Sequence, residues 1–180
     1  KYSGNVGLPV SSTEVKIHND IGEEANYGEV GEILVKGPQV MKGYWKKNNE
    51  TKMVFTNDGF FKTGDLGTMD SKGFVKIVDR KKDMINISGF KVYPNEVEQV
   101  VSSHPEVIEC AVVGGLNHED EEIVNLFVVM KDKRIPKENL VSFCRKNLAA
   151  YKCPKEVIFK DELPKTNVGK ISRKNLREEV

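Results

Sequence analysis

The stretch FKTGDLGTMDSKGFVKIVDRKKDMINISGFKVYPNEVE, residues 61–98, contains the point at which the chain changes character. In its middle, residues 79–83 are five consecutive charges. We expect this run to lie outside the core, either as a solvated surface turn, which charged runs usually form, or as a link between two domains. Before the run, short strand patterns are separated by glycine turns; after it, strands alternate with amphipathic helices. The sequence therefore predicts an α+β protein.

The part before the charged run, residues 1–79, is rich in short β patterns. Alternating or apolar strand patterns occur at residues 15–17, 32–35 and 73–78. Strands at this spacing, with turn residues between them, predict a small barrel or sandwich. Residues 48–54 are the one candidate for a helix here, and Gly-Tyr-Trp at residues 43–45 is interpreted as barrel packing.

The part after it, residues 84–180, predicts a small domain in which a mixed sheet is flanked by helices. Helices are expected at residues 94–101, 136–149 and 174–178, and strands at residues 107–113, 123–130 and 157–159. Proline at the start and acids in the first turn mark the first helix, and apolar residues at helical spacing mark the second.

Composition excludes several classes of protein. The 28 Lys+Arg against 27 Asp+Glu argue against a chain that coats nucleic acid through net positive charge. No apolar run approaches the ~20 residues of a membrane helix. The three cysteines cannot close a disulfide framework, and no His or Cys spacing indicates a metal site, so reduced thiols suggest the cytosol. With no initial Met and no secretory signal, we expect a processed chain or an excised segment.

Three short segments could carry chemistry, and each alone has an ordinary structural explanation. In Thr-Gly-Asp, the Asp65 carboxylate could accept two hydrogen bonds from a ribose diol, or be a turn residue bonded to its own backbone. Arg80 could bind ribose or phosphate and Gly89 could let a ligand approach the backbone, or the pair could belong to a basic turn before an edge strand. Lys170, on a glycine turn, could reach a phosphate or be an ordinary surface lysine.

The Gly169-Lys170 pair does not form a Walker phosphate loop. That motif requires Gly at position 164 and Ser or Thr at position 171, where this chain has Pro164 and Ile171. A nucleic-acid patch at residues 165–177 is disfavoured, because no aromatic residue follows Phe159 to stack on a base.

Together, in order and spacing, the segments resemble the adenylate-forming acyl-CoA synthetase family. The opening stretch, LPKTNVGKISRKNLRE, GPQVMKGYW and FCRKNLAAYKCPKEV are similar to bacterial long-chain fatty acid–CoA ligases. The resemblance covers essentially the whole chain. It implies that residues 1–79 are the β-barrel part of a large N-terminal domain, residues 80–83 a hinge and residues 84–180 the small C-terminal domain.

The resemblance also implies roles for individual residues. Lys170 would be the cation of the adenylation step, and Lys82 the hinge residue about which the C-terminal domain rotates between half-reactions. The residues implied to bind the nucleotide are Asp65, Arg80, Ile77 and, with a less defined role, Lys91. Ser88 and Gly89 would line the passage for the pantetheine arm of CoA.

The implied substrates are a fatty acid, ATP and CoA, with Mg2+ as cofactor. The phosphate loop and the magnesium-binding glutamate of the family do not occur in this chain, which implies a C-terminal fragment that is inactive alone and has no metal ligand of its own. The implied enzyme is cytoplasmic, with peripheral membrane association left open and no nucleic-acid partner. Two alternatives stay open: a folded interaction module without turnover, and an adenylating enzyme for another acid.

Overall fold

The computed structural model describes residues 4–132 and 136–180. These residues form two compact units that divide between Lys82 and Asp83, and each is described separately below. The α+β class expected from the sequence is confirmed, because each unit combines strands with short helices.

The first unit is built on a four-stranded antiparallel sheet. Its elements are β1 (Glu14–His18), β2 (Gly31–Lys36), α1 (Asn48–Val54), β3 (Phe61–Met69) and β4 (Val75–Arg80). The strands lie in the order β1-β2-β3-β4, and Val75 of β4 also pairs with Gly7. A 3₁₀ turn, Lys81–Asp83, follows the last strand.

The core of the first unit is small. Ile17, Ile33 and Val75 are its buried centre, supplied by three different strands whose alternate residues face inward. The interpretation of residues 43–45 as packing residues is wrong for Trp45, whose side chain is 85% exposed. The α1 helix, which follows this segment in the chain, has no buried residue and so offers the indole no core to pack against.

The second unit contains a hairpin, a three-stranded sheet and three helices among its described residues. Its elements are β5 (Ile85–Ile87), β6 (Phe90–Val92), α2 (Pro94–Ser102), β7 (Val107–Leu116), β8 (Glu122–Met130), α3 (Lys137–Asn147), a 3₁₀ turn (Ala150–Lys152), β9 (Glu156–Phe159) and α4 (Arg173–Arg177). The sheet order is β7-β8-β9; β7 and β8 are antiparallel, whereas β8 and β9 are parallel. The mixed sheet expected from the sequence is therefore confirmed.

The two faces of the β7-β8-β9 sheet pack against different parts of the unit. One face carries a cluster shared with α2, α3 and the β5-β6 hairpin, including Ile85, Val92, Val97, Val101, Val112, Val124, Leu126, Val128, Leu140 and Cys144. The other face carries Ala111, Val113, Phe127, Val129, Leu163 and Leu176, with Ile171 packed on them. Successive residues of a strand point to opposite faces. The hairpin that contains Ser88 and Gly89 and the segment that contains Lys170 therefore lie on opposite faces of the sheet.

The expectation that the charged run 79–83 lies outside the core is wrong for two of its residues. Asp79 and Asp83 are only 1% and 9% exposed. The Asp79 carboxylate accepts a hydrogen bond from the next backbone N–H at 2.8 Å, and Asp83 forms ion pairs with Arg173 and Arg177. A buried carboxylate requires such partners, because an unpaired interior charge is strongly unfavourable. The partners of Asp83 lie 90 and 94 residues further along the chain, where a local charge pattern cannot reveal them.

Within the described ranges, no helix is long and apolar enough to cross a membrane.

The centre of β8 should dominate the stability of the second unit. Leu126 is fully buried in this strand, so Leu126→Ala should lower the free energy of unfolding by about 2–5 kcal/mol through lost burial and a residual cavity. Leu116→Ala, at a position 63% exposed, is the matched control and should change it by less than about 0.5 kcal/mol. Urea unfolding followed by far-UV circular dichroism measures both, and equal effects would contradict the assignment of β8 to the core.

Candidate active site

In the first unit, Asp65 and Arg80 form an exposed ion pair across two neighbouring strands. They are Cα partners in the β3-β4 ladder, and the Arg80 Nε donates to the Asp65 Oδ1 at 2.8 Å. The Arg80 side chain is 58% exposed and the Asp65 side chain 27%. An exposed carboxylate and an exposed guanidinium side by side present both acceptors and donors to a polyhydroxyl or phosphate ligand.

The backbone around Asp65 is shaped by a bulge in β3. The register shifts between Glu32 and Leu34 on β2, and the extra residues fall on β3 at residues 63–65. Gly64 adopts a φ of 72°, a conformation that glycine tolerates best. The Thr63 hydroxyl donates to the Ile33 carbonyl at 2.8 Å and accepts from the Asp65 backbone N–H at 3.0 Å. The sequence placed the carboxylate at a turn, whereas the structure places it inside a bulged strand.

Asp65 and Ile77 line the same depression in the first unit. It has a volume of about 250 Å³, and the rest of its wall is mostly apolar, including Val15, Ile33 and Val35. The Ile77 side chain on β4 is 47% exposed, unusually high for isoleucine in a strand. A carboxylate in the wall of an apolar depression suits a ligand that combines a flat ring with hydroxyl groups.

In the second unit, Lys170 lies at the end of a tight turn. Lys165 and Ile171 form a bridge that closes the turn. The Thr166 backbone N–H donates to the Lys170 carbonyl at 2.7 Å, and Gly169 has a φ of 77°. The Lys170 side chain is exposed, and no ion pair to it is found among residues 4–132 and 136–180. The structure thus presents this ammonium group to solvent at the end of a hydrogen-bonded turn.

Ser88 and Gly89 form the turn of the β5-β6 hairpin. Their φ values are 49° and 90°, as in the type I′ turns that connect two-residue hairpins. The Gly89 backbone N–H donates to the Asn86 Oδ1 at 2.9 Å, and the Asn86 N–H donates to the Glu122 Oε2 at 3.0 Å. A Cβ atom added at Gly89 would meet nothing within 4 Å. Hydrogen bonds through Asn86 therefore hold the turn in place, and the space that a side chain at residue 89 would occupy is open.

The remaining two predicted residues differ in exposure. Lys82 is exposed in the 3₁₀ turn at the boundary of the two units. Lys91 lies on β6 opposite Asn86, is partly buried and already has an interaction partner. The structure thus groups Asp65, Arg80 and Ile77 in the first unit, and it separates the β5-β6 turn from Lys170 within the second.

The sequence analysis did not identify two residues that support the candidate site residues or the packing of the second unit. Thr63 supports Asp65 through its hydroxyl, and a Ser or Thr two residues before a turn residue is a signal that could have revealed it. Arg173 joins a buried charge network with Asp83 and Glu98. No local signal distinguishes this arginine from its basic neighbours, because its partners lie 75 and 90 residues away.

Comparison with known families finds two family models that match parts of this chain. The family model of the AMP-binding enzyme matches residues 1–45, and that of the AMP-binding enzyme C-terminal domain matches residues 96–170. The chain belongs to the AMP-binding enzyme family, and the resemblance seen in its sequence is confirmed.

Relatives with curated names are similar over almost the whole chain. The long-chain-fatty-acid–CoA ligase of Yersinia pestis is 53% identical over 178 residues, which are 99% of this chain and 32% of that protein. The ligase of the same name from Bacillus subtilis (strain 168) is 48% identical over 98% of this chain and 32% of that protein. The chain thus spans about a third of the length of these relatives.

Solved structures share the fold. ATP-bound MatB from Rhodopseudomonas palustris superposes with a TM-score of 0.92 and is 39% identical over 98% of this chain and 35% of that one. The o-succinylbenzoate CoA synthetase MenE from Bacillus subtilis, in complex with its acyl-adenylate intermediate OSB-AMP, has a TM-score of 0.87 and 38% identity over 97% of this chain and 35% of that one.

Proposed function

We propose that the protein containing this chain is an ATP-dependent long-chain fatty acid–CoA ligase. The observation that carries the proposal is the 53% identity to the Yersinia pestis ligase over 99% of the chain. A 2-succinylbenzoate–CoA ligase from Bacillus licheniformis is 42% identical over 173 residues, which favours a fatty acid over that acid. The cytoplasmic location and the peripheral membrane association expected from the sequence stay predictions.

The proposed reaction has two steps. In the first, a carboxylate oxygen of the fatty acid attacks the α-phosphorus of ATP, a P–O bond forms, and pyrophosphate leaves. In the second, the sulfur of CoA, having lost its proton, attacks the acyl carbon, and AMP leaves with the electrons of the broken C–O bond. Adenylation comes first because a free carboxylate is a poor electrophile.

In the first unit, the depression beside the ion pair supports a nucleoside site. Asp65 would accept hydrogen bonds from the ribose hydroxyls, since it lines the depression, is partly exposed and pairs with Arg80 through its Oδ1. Arg80 would donate to the ribose side, and the exposed Ile77 would pack against the adenine ring.

In the second unit, Lys170 is proposed as the cation that stabilises negative charge at the α-phosphate during adenylation. Its exposure and its ordered turn support this role, because a preorganised cation is most effective where charge develops. For the second step, Ser88 and Gly89 are proposed to line the pantetheine passage. The open space above Gly89 supports this, since a narrow ligand can approach the backbone there.

The proposed roles of Lys170 and of the β5-β6 turn require the second unit to adopt a different orientation in each half-reaction. Lys170 and the β5-β6 turn pack on opposite faces of one sheet, so a single orientation would not present both to the same substrate. We propose that Lys82, at the unit boundary, is the hinge residue. Lys91 would have a supporting role on the phosphate side.

Magnesium is not assigned to this chain. Among the residues that the structure describes, no three His, Cys, Asp or Glu side chains are grouped so that they could hold a metal ion.

The proposed function predicts that the activity needs more than this chain. A full-length enzyme containing the sequence should exchange labelled pyrophosphate into ATP when palmitate is added, and should form palmitoyl-CoA. The 180-residue chain alone should do neither, because it lacks a phosphate loop to hold the triphosphate. Palmitoyl-CoA formation by the chain above a mock preparation would contradict this, and full-length activity confined to other acids would contradict the fatty acid assignment.

Lys82→Pro should obstruct the hinge in the full-length enzyme. Proline fixes φ near −65° and restricts the preceding residue, so overall turnover should fall by about tenfold or more, with KM for ATP little changed. Lys82→Ala is the matched control, since it removes the side chain and leaves the backbone free; its turnover should stay close to that of the parent enzyme. Normal turnover of a folded Lys82→Pro enzyme would show that the hinge lies elsewhere.

A further inference from the structure

A network of polar and charged side chains ties two distant segments of the second unit, Asp83 and α2, to Arg173, the first residue of α4. The Arg173 Nε donates to the Glu98 Oε1 at 3.1 Å, and its Nη2 donates to the Glu98 Oε2 at 2.7 Å. Its Nη1 donates to the Asp83 Oδ2 at 3.2 Å. Its Nη2 also donates to the Asn95 Oδ1 at 2.6 Å. One guanidinium thus holds the start of the unit, two positions of α2 and the start of α4.

The network is largely buried. The side chains of Arg173, Asp83 and Glu98 are 18%, 8% and 20% exposed. The Glu98 Oε1 also accepts from the Val112 backbone N–H at 2.8 Å, which fixes the carboxylate to β7. Arg177 pairs with the other oxygen of Asp83. A buried guanidinium with forked contacts holds its partners in a defined geometry that a lysine cannot reproduce.

The two ends of this network lie next to the residues proposed for catalysis and for the hinge. Asp83 directly follows Lys82, and only two residues separate Arg173 from Lys170. Those two residues are themselves held: Ile171 packs on the sheet, and the Ser172 backbone N–H donates to the Pro164 carbonyl at 2.7 Å. The turn of Lys170 is therefore joined to the first residue of the unit by a short and ordered path.

We propose that Arg173 is a positioning residue for Lys170. Through its ion pair with Asp83, it holds the turn that carries Lys170 in a fixed position relative to the residue that follows the proposed hinge. The inference rests on the proposed function, because it assumes that Lys170 acts in adenylation. Lys170 itself is exposed, so the precision of its ammonium group depends on the anchoring of its backbone.

A double-mutant cycle on the full-length enzyme tests the proposal. Adenylation is measured by palmitate-dependent pyrophosphate exchange, and thioester formation is measured from supplied palmitoyl-adenylate, for Arg173→Met, Lys170→Ala and the double variant. Arg173→Met should slow adenylation on the order of 10- to 30-fold with KM for ATP nearly unchanged, and spare thioester formation. In the Lys170→Ala background it should cause little further loss, because its effect acts through the lysine.

Other outcomes separate this inference from the proposed function. The positioning role is overturned if Lys170→Ala slows adenylation and Arg173→Met slows it by the same factor in the Lys170→Ala background as in the parent enzyme. It is also overturned if Arg173→Met slows both half-reactions equally, because Arg173 is then merely structural. If Lys170→Ala leaves adenylation unchanged, the proposed role of the lysine fails, and the inference fails with it.

Two further variants keep the test decisive. Arg173→Lys preserves the charge but loses the forked hydrogen bonds of the guanidinium, and it replaces Arg173→Met if that variant does not fold. It should slow adenylation less than Arg173→Met does and leave thioester formation unchanged. Arg145→Met makes the same substitution at an exposed position of α3 and should leave both half-reactions unchanged. A thermal melt of each variant shows whether a loss comes from unfolding, and full activity of folded Arg173→Lys and Arg173→Met enzymes would overturn the proposal.

Discussion

In a full-length ligase containing this sequence, Lys170→Ala should slow acyl-adenylate formation by a factor of about 10²–10³, the usual result of removing one preorganised electrostatic partner from a transition state. Thioester formation from supplied acyl-adenylate should be nearly unchanged. The asymmetry follows from the proposed alternation, in which the lysine faces the α-phosphate only during the first step.

The structure explains why the effect should be large for an exposed residue. The turn that carries Lys170 is closed by the Lys165–Ile171 bridge and by a 2.7 Å backbone hydrogen bond from Thr166. A backbone held by these hydrogen bonds leaves mainly the side chain to be oriented, which lowers the entropic cost of placing the ammonium group. An alanine there removes the charge and leaves the turn intact.

Lys174→Ala is the matched control for this substitution. Lys174 is exposed on α4, four residues after Lys170, and has no proposed contact with substrate. Its replacement should leave both half-reactions unchanged. If Lys170→Ala loses both half-reactions equally, or neither, the assignment of the lysine to adenylation is wrong.

Gly89→Leu should give the opposite pattern, slowing thioester formation on the order of 10²-fold and sparing adenylation. The open space above Gly89 is the space through which the pantetheine arm is proposed to pass, and a branched side chain would fill it. The depression of the first unit that is proposed to hold the nucleoside is lined by other residues.

Gly89→Ala separates the steric effect from backbone strain. Gly89 has a φ of 90°, so any substitution there is strained by about 1–3 kcal/mol. Alanine carries the strain without the bulk and should therefore retain most of the thioester activity. Equal losses for the alanine and leucine variants, measured with the two half-reactions separated, would mean that the hairpin geometry matters and that no passage runs over Gly89.

The sequence by itself determined the elements whose signals are local. Pro94 and an apolar face predict the helix α2, and the sequence also predicts α1 with its observed bounds, Asn48–Val54. Residues 126–130 of β8 form a continuous apolar run because this part of the strand is buried on both faces of its sheet. The family could also be recognised, because its motifs are short stretches of contiguous residues.

Tertiary structure decided what depends on contacts between distant segments. The Thr-Gly-Asp motif resembles a turn in sequence, yet pairing with β2 and β4 makes it a bulge inside a strand and sets Asp65 beside Arg80. The charge of Asp83 predicts exposure, yet two arginines about 90 residues away allow its burial.

The placement of the Gly89 turn and of Lys170 on opposite faces of one sheet is likewise invisible in the sequence. It follows from the side on which each segment packs, and that choice is made by the alternating faces of β7 and β8. Local propensity fixes which residues form a helix or a strand, whereas the free energy of burial and of charge pairing, shared among segments far apart in the chain, fixes which of them meet.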